Sequence, residues 1–496
     1  MVMDNFQSLR YFLPELTLFV AAMVVVLVDI SLKSRRRILN PLLTLLSLIL
    51  AGYFSWSGGS ADAGLFQGML ASDSFAQFFR LLLILAGFLV VVGSLDSEEL
   101  SPVHNGEFFV LLLAVTAGMI LLVNSANLAM LYLSLELVSL TSYIMVGYLR
   151  ADRLSNEAAL KYILFGAVST GAMLYGFSLL YGMTGSLSLY AIRDTFLTQG
   201  VNSFSQYTLL LVVLLIMAGF GFKTAAVPFH FWCPDVYAGA PTPVTAFLSV
   251  APKAAGFGIL VRFLFSGMSQ TTATQWSMMR GLNWPVILIG ISVLTMTLGN
   301  VAALTQNNLK RMLAYSSIAH AGYIMMGAVV LTEIGLRSML VYLFVYLFMN
   351  LGAFLVVTVI YNSDRTFEID DYSGLFRRSP FLAVAMSIFL LSLIGIPPFS
   401  GFLGKFYVFG AVINQGIIWL AVVGSLNAAI AAYYYMKVMK TMILEEGNNG
   451  LPPVRISPLN LSLLVALLIP NVLLVVFWNS FDRWVASSVK LFGNSL

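Results

Sequence analysis

About fourteen stretches of mostly apolar residues follow one another along this chain, each near the ~20 residues a helix needs to cross a bilayer. They lie near 11–31, 38–56, 74–94, 107–123, 127–149, 158–183, 206–230, 244–266, 284–304, 312–331, 335–361, 381–411, 415–444 and 458–478. The ten-residue alternation of a β-barrel strand is not seen in them. Charged residues make up 10% of the 496, against about 25% in a soluble domain, and the mean hydropathy is +0.90. A single core cannot hide that much apolar area, so lipid must cover the rest. The longest polar stretches, near 184–205 and 362–380, are too short to hold a soluble domain. The expectation is an all-α polytopic membrane protein forming one transmembrane domain.

The first window carries Glu15 and Asp29, and its basic cluster follows the apolar run, so it is expected to be a retained helix and not a cleaved leader. Cys233 is the single cysteine, which excludes disulfides within the chain and cysteine-held clusters. The net charge of +4 is scattered over loops and does not point to nucleic acid. Basic residues favour alternate loops: Lys33, Arg35, Arg36 and Arg37; Arg150 and Arg153; Lys310 and Arg311; Arg365, Arg377 and Arg378; Lys440 and Arg455. The other side carries Arg10, Arg193, Arg280, Arg337, Arg483 and Lys490, more thinly spread, and the acidic Asp96–His104 loop supports neither side. By the positive-inside tendency both termini are expected on the periplasmic side of a bacterial inner membrane.

A charge at the middle of a spanning helix costs about 2.5–3.5 kcal/mol on insertion scales, so it reads first as functional. Four such residues stand out: Glu136, Lys223, Lys253 and Lys405, with His230, His320 and Lys437 as a second tier. Unpaired, the first four would cost about 10 kcal/mol together. Glu136 has ten uncharged residues on either side and cannot snorkel to an interface; half of a buried salt bridge is its plainer reading. Lys223 lies five residues before Pro228, where the helix is expected to kink or break. Broken helices at membrane depth line polar cavities, which makes Lys223 a candidate proton-binding site. His230 shares its face if the helix continues, though a structural hydrogen-bonded histidine is the plainer reading. Lys253 follows Pro252, and Lys405 follows Pro397, Pro398, Gly401 and Gly404, so both are expected beside irregularities.

These residues recur. Lys223 and Lys405 are 182 residues apart, Lys253 and Lys437 are 184 apart, and so are Glu136 and His320. The spacing predicts two repeats of five helices, 107–266 and 284–444, each with a broken helix, and inverted because five is odd. The N-terminal helices of 1–105 precede them and a C-terminal helix within 458–496 follows. The mechanistic content is a chain of protonatable groups near mid-depth, linked by water and by Ser134, Thr224, Ser249 and Tyr435. Signatures for ATP, a flavin or dinucleotide, and a zinc protease are absent, and histidines at 104, 230 and 320 could not hold a pair of haems.

Three stretches carry a family resemblance: KTAAVPFHFWCPDVYAGAPTPVTAFLSVAPKAA at 223–255, NNLKRMLAYSSIAHAGY at 307–323 and GIPPFSGFLGKF at 395–406. They closely resemble the antiporter-like membrane subunits of respiratory complex I, and the likeness runs over essentially the whole chain. Within that family, the length of 496 residues sets it apart from L-type members and Lys405 from M-type members. The resemblance implies fourteen helices and a proton relay. Glu136 and Lys223 would form a charge pair whose separation modulates the lysine, His230 would link Lys223 to Lys253, and Lys253 and Lys405 would be the central and exit-side lysines. It also implies no cofactor in this chain, with FMN, iron–sulfur clusters and quinone held by partners, and membrane-arm neighbours of M-type, K-type and J-type. Ala238, where the family often has an acid, and Cys233 depart from the pattern on the loop after the seventh window. The competing readings are a cation/proton antiporter subunit of the multi-subunit sodium/proton type and a passive scaffold; the latter leaves two lysines at helix breaks unexplained.

Overall fold

The computed structural model describes residues 3–32, 36–100, 105–200, 205–271, 276–279, 283–447 and 452–489. Lys33, Arg35, His104, Arg280 and Lys490 lie outside these described residues. A helix in a bilayer satisfies its own backbone, but its first N–H groups need another partner. Many spans here open on a side-chain cap: Asp73 accepts from the Ala76 amide at 2.7 Å, and Asn127, Asp152, Asn308, Thr332 and Ser457 act alike.

Among the described residues, twelve helices are long and apolar enough to cross a membrane, or thirteen if one bent pair counts as a span. All fourteen apolar windows fall on helix, and two of them account for the difference. The 381–411 window is split into Pro380–Ile394 and Ser400–Asn414. The last window holds Pro458–Leu473, after which the chain turns by 89° into Trp478–Ser488. The C-terminal helix expected within 458–496 is thus two helices. The second is tied down by an Arg337–Asp482 ion pair and by the Trp478 indole, which donates to the Tyr407 hydroxyl at 2.6 Å.

The inverted repeat is visible in the element order. Asn105–Asn124, Leu128–Val146, Arg153–Thr184, the broken pair Gln206–Thr224 and Trp232–Gly239, and Thr242–Arg262 form the first unit. Trp284–Ala303, Leu309–Val329, Glu333–Asp364, the broken pair Pro380–Ile394 and Ser400–Asn414, and Ile418–Ile443 form the second. The third helix has 32 residues in both. Each second helix is pinned at its start by an isolated bridge, Asn127 to Ser188 in one unit and Asn308 to Glu368 in the other. Alternating along the chain, the first unit starts at the end of the molecule that carries Arg150, Lys310, Arg311 and Arg378, here the basic end, and the second starts at the opposite end.

Three expectations need correction. Thr242–Arg262 runs straight through Pro252, so Lys253 does not sit beside a break. The proline removes the donor for the Leu248 carbonyl, and the Tyr237 hydroxyl supplies one instead at 3.3 Å. The first broken helix stops at Thr224, so His230 lies in the connection before Trp232 and shares no helical face with Lys223. The even sequence offsets also mislead about equivalence. Lys223 precedes its break while Lys405 follows its own, and Lys437 lies near the basic end, half-buried and bonded to Asn307 at 3.2 Å, not at the depth of Lys253.

Candidate proton relay

The three expected lysines end up inside the protein: Lys223, Lys253 and Lys405 are 2%, 3% and 4% exposed. None has a carboxylate within 4.0 Å among the described residues, although buried ion pairs form elsewhere, between Arg80 and Glu15 and between Arg262 and Asp73. A buried cation without a partner is costly, so the three amines need water, dipoles or another way to lose their charge.

Lys223 is held two residues before the first break. The helix ends there because Ala225 adopts a left-handed conformation (φ 55°) and its amide turns back to the Phe222 carbonyl. The Lys223 amine has no hydrogen-bond partner and lies 5.9 Å from the Phe222 ring centre. Glu136, half-buried in the middle of Leu128–Val146, is the carboxylate whose field reaches it. The expected charge pair is therefore a through-space pair and not a contact. His230 is buried, with Nδ1 unpartnered.

The other two lysines flank the enclosed helix Leu309–Val329. Lys253 donates to the Ser317 hydroxyl and lies 5.6 Å from the Tyr237 ring centre. Ser316, the next residue back, bonds Tyr435. His320, one turn on, bonds the Tyr342 hydroxyl through Nδ1 at 2.8 Å and the Tyr435 hydroxyl through Nε2 at 3.3 Å. Tyr323 continues the row: its ring lies 4.7 Å from the Lys405 amine, and its hydroxyl accepts from Asn300 at 3.2 Å. Lys405 donates to the Leu393 and Ile394 carbonyls at 3.2 and 2.7 Å, the last carbonyls of the helix before the second break. One helix thus carries a row of hydroxyl and imidazole groups from Lys253 toward Lys405, with His320 between them. Of the expected linkers, Tyr435 belongs to this row, and Ser249 accepts from Asn350 at 2.5 Å just beside it. Ser134 has no partner for its hydroxyl, and Thr224 bonds its own helix.

Sequence reasoning missed Lys310. It is 1% exposed, donates to the Ala240 carbonyl at 2.6 Å and lies 4.5 Å from the Phe367 ring centre. Its only signal was a place in the first turn after the capping Asn308, which it shares with the more exposed Arg311. Cys233 is buried beneath the break, and Ala238 sits half-buried near the end of the short helix.

An enclosed polar row, two broken helices and an inverted repeat define a membrane-integral, antiporter-like subunit. Residues 125–431 match the family described as NADH:quinone oxidoreductase/Mrp antiporter, TM, and the chain belongs to that family. Within it, the chain is similar to subunit N of NADH-quinone oxidoreductase from Anaeromyxobacter sp. (strain Fw109-5). That relative is 42% identical over 513 residues, which cover 99% of this chain and 98% of the relative. Subunit N from Chlorobium chlorochromatii (strain CaD3) is also 42% identical, over 97% of this chain and 95% of the relative. Among solved structures, a chain of respiratory complex I from Thermus thermophilus with bound Aureothin superposes with a TM-score of 0.77. It is 29% identical and covers 96% of this chain and 99% of that one. A chain of the Mrp complex from Dietzia sp. DQ12-45-1b, 18% identical, shares the fold with a TM-score of 0.82 over 98% of both.

Proposed function

We propose that this chain is a proton-translocating membrane-arm subunit of NADH–quinone oxidoreductase, with protons passing along Lys223, His230, Lys253, His320 and Lys405 and with Glu136 as the charge partner that modulates Lys223. One observation carries the relay: three buried lysines without contacting carboxylates, two of them joined by the hydroxyl and imidazole row on Leu309–Val329. Near-full-length likeness to subunit N supports the placement in that complex over an antiporter complex. A proton that reaches Lys253 has a hydroxyl acceptor at Ser317, and His320 can hold or pass one between two tyrosine hydroxyls. Glu136, which tunes Lys223 through space, is the natural place for redox work elsewhere in the complex to act. Lys437, bonded at the basic end, serves as an outlying member of the relay. FMN, the iron–sulfur clusters and the quinone site belong to partner subunits, and the membrane neighbours are of M-type, K-type and J-type. The basic end faces the cytoplasm of a bacterial cell, which leaves both termini periplasmic.

Affinity purification of the tagged chain from solubilised membranes tests the placement. Flavin and iron–sulfur subunits with NADH–quinone reductase activity are expected in the eluate. Recovery with only small membrane subunits and no redox activity would move the assignment to the antiporter.

A further inference from the structure

The two breaks share a register. Ala225 and Gly395 cap the helices before them with φ of 55° and 87°, and a proline follows each at the third position, Pro228 and Pro398. Counted from those caps, Lys405 falls on Asp235, not on Lys223. The two residues occupy equivalent places on the half-helices after the breaks. Because the repeats are inverted, Trp232–Gly239 leads from mid-depth to the basic end and Ser400–Asn414 leads to the opposite end.

We propose that Asp235 is the proton-uptake residue of the first repeat, taking protons at the basic end and delivering them to Lys253. This rests on the relay reading above. Asp235 is the one charged residue of its short helix, half-exposed at 29% of its side chain, and accepts from Lys161 at 2.6 Å and Arg311 at 2.8 Å. Glu157 stands behind Lys161 at 2.8 Å. These two cations come from different repeats and hold the carboxylate in place where water reaches it. Two residues on, Tyr237 is wholly buried and presents its ring to the Lys253 amine. One short helix therefore spans from an aqueous carboxylate to the central lysine. Consecutive residues of Leu309–Val329 grip it at its middle and at its end: Arg311 holds Asp235, and Lys310 holds the Ala240 carbonyl.

The step is a proton transfer. A proton from bulk water forms the O–H bond of Asp235. That bond breaks as an N–H bond forms on the neutral Lys253 amine, through intervening water, and the carboxylate is left to load again.

The test uses membrane vesicles carrying the assembled complex, with NADH as donor and protons translocated per electron as readout. Asp235→Asn keeps the shape and one of the two acceptor oxygens but cannot carry a proton. It should lower coupled translocation at least about tenfold, as losing a proton donor does, and Asp235→Glu should restore most of it. Normal translocation in Asp235→Asn overturns the proposal; so do equal losses in both variants, which would make the carboxylate a strut. If Asp235→Asn does not assemble, Arg311→Gln decides: freeing the carboxylate from one of its two cations should lower coupled translocation in the assembled complex, and unchanged translocation overturns the proposal. Lys253→Ala, measured alongside, separates the two readings. Normal pumping there means the relay has failed. Loss there with normal Asp235→Asn means that only the uptake role falls.

Discussion

The two broken helices use one backbone device and put it under different electrostatic control. Each stops at mid-depth on a residue of left-handed φ, and each leaves carbonyls without helical donors. At the first break neutral groups fill the gap: the Phe222 carbonyl accepts from the Ala225 amide at 3.2 Å and the Trp232 indole at 3.1 Å. Lys223 takes no part and lies buried within the field of Glu136. At the second break the lysine is itself the donor, bonding the Leu393 and Ile394 carbonyls. A cation there is also favoured by the helix C-terminus. Proton loss at Lys405 therefore changes how its own break is capped, whereas proton loss at Lys223 leaves the backbone of its break untouched.

Substituting the two lysines should give the largest effects and can break this contrast. Lys223→Ala and Lys405→Ala should each lower coupled translocation at least about tenfold, or 1.4 kcal/mol. Only Lys405→Ala should also lower the thermal stability of the complex, because it strands two buried carbonyls at about 1–3 kcal/mol each. Equal melting temperatures would dissolve the distinction. Next comes Gly401→Ala, whose added Cβ would lie 1.7 Å from the Ser392 carbonyl oxygen, a backbone atom with nowhere to go. It should cost about 1–3 kcal/mol or more in stability and reduce the assembled complex on native gels. Loss of the Glu136 charge should be milder. Glu136→Gln should slow pumping about fivefold, near 1 kcal/mol, and a loss equal to that of Lys223→Ala would show that the carboxylate carries protons instead of tuning the lysine. The smallest pair sharpens the comparison of caps. Ala225→Gly should stabilise and Gly395→Ala destabilise by about 1 kcal/mol, since only glycine adopts left-handed φ without strain; shifts of the same sign would contradict the shared register.

Much of this architecture was legible because membranes enforce a simple grammar. Apolar length marks the spans, and Pro228, Pro397 and Pro398 sit at the two real breaks. Glu136, Lys223, Lys253 and Lys405 were found because a charge amid apolar residues is conspicuous. Pro252 misled, because a proline's effect depends on whether a distant group, here Tyr237, can serve the stranded carbonyl. Lys310 was missed because a lysine at a helix start looks the same in sequence whether it meets water or the Ala240 carbonyl. The tyrosines of the row, Tyr323, Tyr342 and Tyr435, are ordinary apolar-window residues until packing points their hydroxyls at His320. Equal spacing of Lys223 and Lys405 was read as equivalence, yet only the caps at Ala225 and Gly395 fix the register.

The bent C-terminal helix has a bearing on where the second lysine rides. Trp478–Ser488 turns Phe481 and Trp484 inward against Phe344 and leaves Arg483 outward, the build of a helix that floats at the waterline of a bilayer. Tyr407 is moored to it through Trp478, and Lys405 hangs two residues, about 3 Å of helix, further along the same half-helix. The draught of Lys405 is thereby gauged from the membrane surface, as a keel's is from its hull. Lys223 has no such mooring and takes its depth from the helices packed around it.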